Sequence, residues 1–246
     1  MIKKWEDLPE NLRNENVKKY YYILENKKSS LFIKRVFDIV LATVLVIILF
    51  PIFIFMSILI KVDSRGPIIF RQVRVTQYGK LFRIFKFRTM LKNAEKMGSQ
   101  ITTKNDNRVT RVGSVLRRLR LDELPQLFNI IKGDMTFVGT RPEVVKYVER
   151  YTDEMKATLL LPAGVTSEAS IHYKDEDKLL ESAEDADITY INKVLPAKMN
   201  YNLKSIREFS FLRDIKIMIR TIAVVMGKVD SRQKKKEEDT FTNTDK

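Results

Sequence analysis

Read for the alternation of apolar and polar positions, the chain divides into a polar start, one long apolar run, a mixed middle and a polar end. Residues 1–30 are polar, from Lys3 and Lys4 to Lys27 and Lys28, and lack the short basic start and immediate apolar stretch of a signal peptide. From Ile39 to Ile60 no ionisable residue occurs, and about 20 apolar residues rising ~1.5 Å each can cross a hydrocarbon core. Two features disfavour a straight span. Pro51, near the middle, removes a backbone donor and predicts a kink. Both flanks are basic, with Lys27, Lys28, Lys34 and Arg35 before the run and Lys61, Arg65, Arg71 and Arg74 after it, so a crossing helix puts one positive cluster on the wrong side. A helix that enters, bends at Pro51 and leaves by the same face removes the conflict, which gives a re-entrant membrane helix hairpin over 31–62 as the expectation. A buried core helix fits poorly, because the run is apolar on every face.

Beyond Pro67 the pattern becomes extended as far as Arg88, broken at Gln77-Tyr78-Gly79-Lys80 like the turn of a hairpin. Period two in the second arm puts Phe85 and Phe87 on one face and Lys86 and Arg88 on the other. Helical spacing returns from Ser114, a candidate cap, through Val115, Leu116 and Leu119, with Arg117, Arg118 and Arg120 outward. Pro125 then fits only near the start of a second helix, which should run through Leu127, Phe128, Ile130 and Ile131 and stop at Gly133. Towards the end, Ile206, Phe209, Leu212, Ile215, Ile219, Ile222 and Met226 recur at steps of three and four, an amphipathic basic helix suited to packing on a core or lying on an anionic membrane surface. The organisation expected is therefore a polar N-terminal segment (1–30), the membrane hairpin (31–62), an α/β, helix-dominated catalytic domain (63–227) that includes the C-terminal amphipathic helix, and a charged, disordered tail (228–246).

Composition narrows the partners. A chain of 246 residues allows one domain plus an anchor. The net charge of +14 attracts something anionic: nucleic acid, acidic lipid or a phosphorylated substrate. With no cysteine and the single His172, any metal has to sit on oxygen ligands, which favours magnesium-like ions. Nucleic acid is the weakest partner, because the cations interleave with an apolar anchor and form no nucleic-acid-binding signature.

The chemistry-bearing residues cluster in the middle. Asp122 falls at or next to the start of the second helix, where the helix dipole and nearby arginines favour an ionised carboxylate and gather phosphate. An aspartate there also serves as an ordinary helix cap. Read chemically, an ionised carboxylate can attack phosphorus once the phosphoryl oxygens are neutralised by arginine and a divalent cation. Glu123 and Asp134 add oxygen ligands, and Gly139-Thr140-Arg141-Pro142 is a rigid turn that can present a guanidinium.

These stretches resemble the bacterial sugar transferase family, the monotopic phosphoglycosyl transferases. The resemblance runs from about Lys34-Arg35-Val36-Phe37-Asp38 to Thr221, through Lys86-Phe87-Arg88-Thr89-Met90, Leu121-Asp122-Glu123-Leu124-Pro125-Gln126-Leu127, Lys132-Gly133-Asp134-Met135 and Val138-Gly139-Thr140-Arg141-Pro142. It implies a re-entrant helix at the bacterial inner (cytoplasmic) membrane, interfacial amphipathic helices, a catalytic domain on the cytoplasmic face, Mg2+, and a two-step transfer. In that scheme Asp122 attacks the β-phosphate of a UDP-sugar, UMP leaves, and polyprenyl (undecaprenyl) phosphate takes the phosphosugar, starting a capsule, exopolysaccharide or lipopolysaccharide glycan. Glu123 assists, Asp122 lies at the metal with Glu123 or Asp134 as further ligands, and Lys86, Arg88, Arg117, Arg118, Gln126 and Arg141 hold phosphate or uridine. Gln72 and Arg74 match a further motif of underived role. The chain departs from the family's usual residues at Thr76, Thr140, Ser167–Ser170 and Asn202, which bears on the sugar, and with no large extra N-terminal membrane region such as some members have, the expectation is the minimal form. A homo-oligomer is left open. The rival class is a basic, membrane-attached binding or scaffold protein without catalysis, which would have no need of the Asp122-Glu123 pair.

Overall fold

The computed structural model describes residues 2–94, 106–176, 180 and 185–226; the tail expected at 228–246 lies outside these. The polar N-terminal segment is folded. Asn14 accepts a hydrogen bond from the Val17 amide and caps helix α1 (Glu15–Glu25). Its Val17, Tyr20, Tyr21 and Leu24, with Ile2, Leu8 and Leu12, enter the largest core cluster of the molecule beside Leu160, Leu195 and Met199. The segment is polar on average because, Tyr22 apart, its exposed positions are polar.

Helix α2 runs unbroken from Lys28 to Asp63, through Pro51. One stripe of it faces the rest of the protein: Leu31, Lys34, Asp38, Ala42 and Ile60 are buried, while Leu45, Val46, Leu49, Phe53 and Met56 are partly buried against neighbouring clusters. Apart from the adjacent Leu45 and Val46, the steps between these positions are threes and fours, as one helix face requires. Ile47, Ile48, Phe50, Phe55 and Ile58 on the other side are more than half exposed. The contact face therefore continues past Pro51 to the far end of the helix, and both halves of α2 rest on one body.

That body holds two small sheets. Strands β1 (Ile69–Val75) and β2 (Leu81–Phe87) form the antiparallel hairpin expected around Gln77–Gly79, with Tyr78 at φ 60° in the turn. Strands β3 (Met135–Val138) and β4 (Ala163–Thr166) pair in parallel. Between the sheets and α2 lie α3 (Arg111–Arg118) and α4 (Gln126–Lys132). Helix α3 starts four residues earlier than a Ser114 cap would have it, because the Thr110 hydroxyl accepts from the Gly113 amide and caps it there. Helix α4 ends where expected, at Gly133 with φ 99°.

The remaining helices are α5 (Val145–Val148), α6 (Glu168–His172), α7 (Ala186–Thr189), a π-turn at Tyr190–Val194, α8 (Leu195–Arg207) and α9 (Phe211–Val225). The single C-terminal stripe expected from Ile206 to Met226 is split. Ile206 and Phe209 are buried at the end of α8, and Ser210 then caps a separate helix through the Arg213 amide. On α9 the inward residues are Asp214 and Ile217, whereas Leu212, Ile219, Ile222, Val225 and Met226 are exposed. Helix α9 abuts α2, with Phe211 edge-on to Phe37 at 5.2 Å.

Candidate active site

The acidic pair sits in a single 3-10 turn, Leu121–Glu123, between α3 and α4. Arg120 enters that turn at φ 57°, a conformation costly for a residue with a Cβ and a sign that the turn is imposed by its surroundings. The two acids are treated differently. Glu123 is clamped: Lys86 Nζ donates at 3.1 Å, Arg141 Nη2 donates to the same oxygen at 2.6 Å, and Arg141 Nη1 reaches the other oxygen at 3.4 Å. Asp122, although buried, makes no hydrogen bond or ion pair among the described residues. Nor does it cap α4, whose flanking residue is Pro125 and which has no side-chain cap.

Electrostatics follow this division. Burial alone would raise the Glu123 carboxyl, but the Arg141 and Lys86 charges outweigh it and hold the group well below the usual carboxylate range. Burial raises Asp122, and Glu123 adds to the rise; Lys86, Arg117 and Arg120 only partly offset it. Burial likewise pulls the Lys86 ammonium down against the attraction of Glu123, while Glu123 pushes the Arg141 guanidinium up. Two cations thus face two carboxylates, and one carboxylate keeps its lone pairs free.

The scaffold that aligns these groups comes from distant parts of the chain. Asn129, fully buried on α4, accepts from the Phe85 amide at 2.9 Å and donates to the Arg83 carbonyl at 2.9 Å. This bridge fixes the strand that carries Lys86 against the helix that follows Glu123. Arg35 of α2 closes the other end of α4 by donating to the Ile130 and Ile131 carbonyls at 2.7 and 3.1 Å. The turn bearing Arg141 lies against β4: the Gly164 amide donates to the Thr140 carbonyl at 2.8 Å. A Cβ on Gly164 would come within 2.2 Å of Gly139 backbone, so only glycine permits the approach.

The other expected site residues are distributed around this centre. Gln126 begins α4 fully buried, with neither carboxamide atom partnered among the described residues, so its hydrogen-bonding capacity is unspent. Arg117 donates to the Thr89 hydroxyl at 2.9 Å and contributes to the field at Asp122. Arg118 is exposed on α3. Arg88 is not brought to Glu123: it turns to the end of α2 and donates to the Ser64 carbonyl and hydroxyl at 2.5 and 2.8 Å. Asp134 lies past the opposite end of α4, 3.0 Å from Lys132, about 10 Å of helix away from the acid pair. Gln72 and Arg74 face each other on β1, with the Gln72 carbonyl oxygen accepting from Arg74 Nε and Nη2 at 3.1 and 2.8 Å.

Among the described residues no group of three or more acids or histidines could enclose a metal ion. The donor set still suits Mg2+, which keeps several waters and takes one or two carboxylates plus substrate phosphate oxygens. Asp122 is the carboxylate with oxygens to give; Glu123 is spent on its two cations.

The helix-dominated body holds an acid pair between two cations and lies along one long apolar helix. The chain belongs to the bacterial sugar transferase family, whose model matches residues 29–228. It is 37% identical over 198 residues to the UDP-N-acetylgalactosamine-undecaprenyl-phosphate N-acetylgalactosaminephosphotransferase of Aeromonas hydrophila, covering 79% of this chain and 44% of that protein. Identity is also 37%, over 195 residues, to the UDP-glucose:undecaprenyl-phosphate glucose-1-phosphate transferase of Escherichia coli K12, covering 77% of this chain and 39% of the relative. It is 34% over 215 residues to the undecaprenyl-phosphate galactose phosphotransferase of Salmonella typhimurium, with 81% and 42% covered. The chain thus spans about two fifths of the length of these relatives.

Proposed function

We propose that this protein transfers a sugar 1-phosphate from a UDP-sugar to polyprenyl (undecaprenyl) phosphate through a covalent intermediate on Asp122. The observation that carries the reading is the unspent Asp122 carboxylate beside a Glu123 that is fully engaged. In the first step an Asp122 oxygen forms a bond to the β-phosphorus, and the bond from that phosphorus to the bridging oxygen breaks, releasing UMP with the electron pair. In the second step an oxygen of the lipid phosphate attacks the same phosphorus and the acyl phosphate bond breaks, which restores the carboxylate and leaves a polyprenyl diphosphosugar. Lys86 and Arg141, fixed by Glu123, face the donor phosphates as preorganised charges. Mg2+ bound with Asp122 and the donor would supply further neutralisation of diphosphate charge. Gln126 offers its free amide to a donor oxygen. The relatives' printed substrates support UDP-sugars and undecaprenyl phosphate as the substrate classes.

The same reading places the exposed faces of α2 and α9 in the lipid of the inner membrane. Exposed apolar residues dominate the outward side of α2, those of α9 (Leu212, Ile219, Ile222) stand beside the basic Lys216, and both halves of α2 lie on one body, which supports a helix that enters and leaves by the cytoplasmic face. The deciding experiment gives detergent-solubilised protein Mg2+, polyprenyl phosphate and a panel of UDP-sugars. UMP should appear with at least one donor, and without acceptor a phosphosugar should be found by mass spectrometry on the peptide containing Asp122. No UMP with any donor would favour the non-catalytic scaffold, and UMP with the adduct elsewhere would remove Asp122 as nucleophile.

A further inference from the structure

The turn that carries Arg141 is held from behind by a second set of charges. The Glu143 carbonyl accepts from the Val75 amide at 3.0 Å, which pins the turn to β1. Arg74 Nη1 donates to the Pro142 carbonyl at 3.3 Å and stands 4.0 Å from the Glu143 carboxylate, while its other nitrogens are occupied by Gln72. Glu143 itself is buried. It accepts from the Tyr190 hydroxyl at 2.5 Å and faces Lys198 Nζ at 3.7 Å; that ammonium donates to Tyr190 at 3.2 Å and to Glu176 at 2.9 Å. Burial lowers Arg74 and raises Tyr190, so both groups sit in an interior where a misplaced charge is expensive. Glu143 and Glu176 also act on Arg141 through space.

From this geometry we infer that Gln72, Arg74 and Glu143, backed by Tyr190 and Lys198, are positioning residues that aim Arg141 at Glu123 and at the donor phosphates. The inference rests on the transfer reaction proposed above. The physical reason is that Arg141 is long and partly exposed, and its guanidinium direction depends on where the Thr140-Arg141-Pro142 backbone lies. Arg74 uses all three of its nitrogens, two on Gln72 and one on the Pro142 carbonyl. A lysine supplies the charge from one ammonium without that planar fork, so it does not reproduce the three contacts in the same geometry. Misplacement of a catalytic group by about 1 Å typically costs on the order of 10²-fold. The Tyr190 and Lys198 links tie this support to the C-terminal helices, far from the acid pair in sequence.

The test is a double-mutant cycle with the full-length protein. Arg74→Lys and Glu143→Gln should each lower kcat/KM for the UDP-sugar about 10- to 100-fold, and in an Arg141→Lys background neither should lower it further. A purely structural role would instead multiply through the double variants, and that result, or unchanged kcat/KM in the single variants, would overturn the inference. A crystal structure of Arg74→Lys decides the matter independently of turnover. The Arg141 to Glu123 contact, 2.6 Å here, should open beyond hydrogen-bond range; an unchanged contact would refute the positioning role. Were the wild type to release no UMP from any donor, the transfer reading would fail, while the crystallographic comparison would still judge the Arg74 linkage.

Discussion

The cluster of Lys86, Arg141, Glu123 and Asp122 and the cluster of Lys34, Asp38 and Asp214 both set cations among buried carboxylates, yet only the first leaves an acid without a partner. In the second, Lys34 of α2 stands 2.7 Å from Asp214 of α9 and 4.0 Å from Asp38, and Thr136 of β3 donates its hydroxyl to Asp38 at 2.5 Å. Each member faces another, and the cluster joins the apolar helix to the C-terminal helix and the parallel strands. It lies at the edge of a cavity of about 220 Å³ that does not include Asp122 or Glu123. Buried charge as such does not separate the two places, although the first sets two cations against two acids and the second one cation against two. What separates them is completeness: ions that satisfy one another hold elements together, whereas a carboxylate surrounded by spent partners remains available for chemistry.

Replacing the unspent acid should have the largest effect. Asp122→Asn is expected to reduce UMP release at least about 10³-fold with little change in thermal unfolding, because the Asp122 side chain holds nothing in place. Wild-type release from that variant would erase the contrast between the clusters. Lys34→Met should do the opposite: it leaves two buried carboxylates uncompensated and should cost about 3–5 kcal/mol of stability, read by chemical unfolding in detergent, with turnover per folded molecule preserved. Acidification should give a smaller graded effect. Asp122 is raised by burial, so its reactive anion is lost as pH falls through a value above 3.8, and activity should drop about tenfold per pH unit below it. Glu123 is held low, so its contribution to stability is present above its ordinary 4.5 and lost only as pH falls further. Activity should therefore fail before the fold does; simultaneous loss would mean that the two acids titrate together. Least costly to the protein is a labelling test. Cysteines introduced at Lys28, where α2 begins, and Arg65, just past its end, should react from the same side of sealed vesicles, and labelling from opposite sides would establish a straight crossing.

Local features were readable from residue order. The hairpin turn at Gln77–Gly79, the apolar run, and the start and stop of α4 between Pro125 and Gly133 all rest on short-range chemistry, and each appears where the pattern puts it. The Asp122-Glu123 stretch announced its chemistry only with its relatives' motifs beside it. What could not be read is convergence. Lys86 and Arg141 meet Glu123 across 37 and 18 residues, and nothing in their own neighbourhoods says so. Asn129 gave no signal, since an amide on an apolar helix face becomes meaningful only when a strand edge is present to be bridged. Arg88 follows the strand periodicity on paper, but β2 ends at Phe87 and the next side chain is free to turn towards α2. The split at Ser210 was hidden because the apolar spacing continues across it, with core positions before and outward positions after.

The unbroken contact stripe of α2, from Leu31 to Ile60, makes the helix tolerant of one kind of change and intolerant of another. Its outward side chains can be exchanged among apolar residues at small cost, since they answer only to lipid. Its length is another matter. A single residue inserted after Ala42 would rotate everything beyond it by about 100°, presenting Ile48 and Phe55 to the body and Phe53 to the bilayer. Seven residues would restore the phase to within about 20° but would carry Asp63, whose carboxylate accepts from the Val112 amide at the head of α3, about 10 Å out of place. The anchor thus doubles as a ruler whose graduations are read by the catalytic body at both ends.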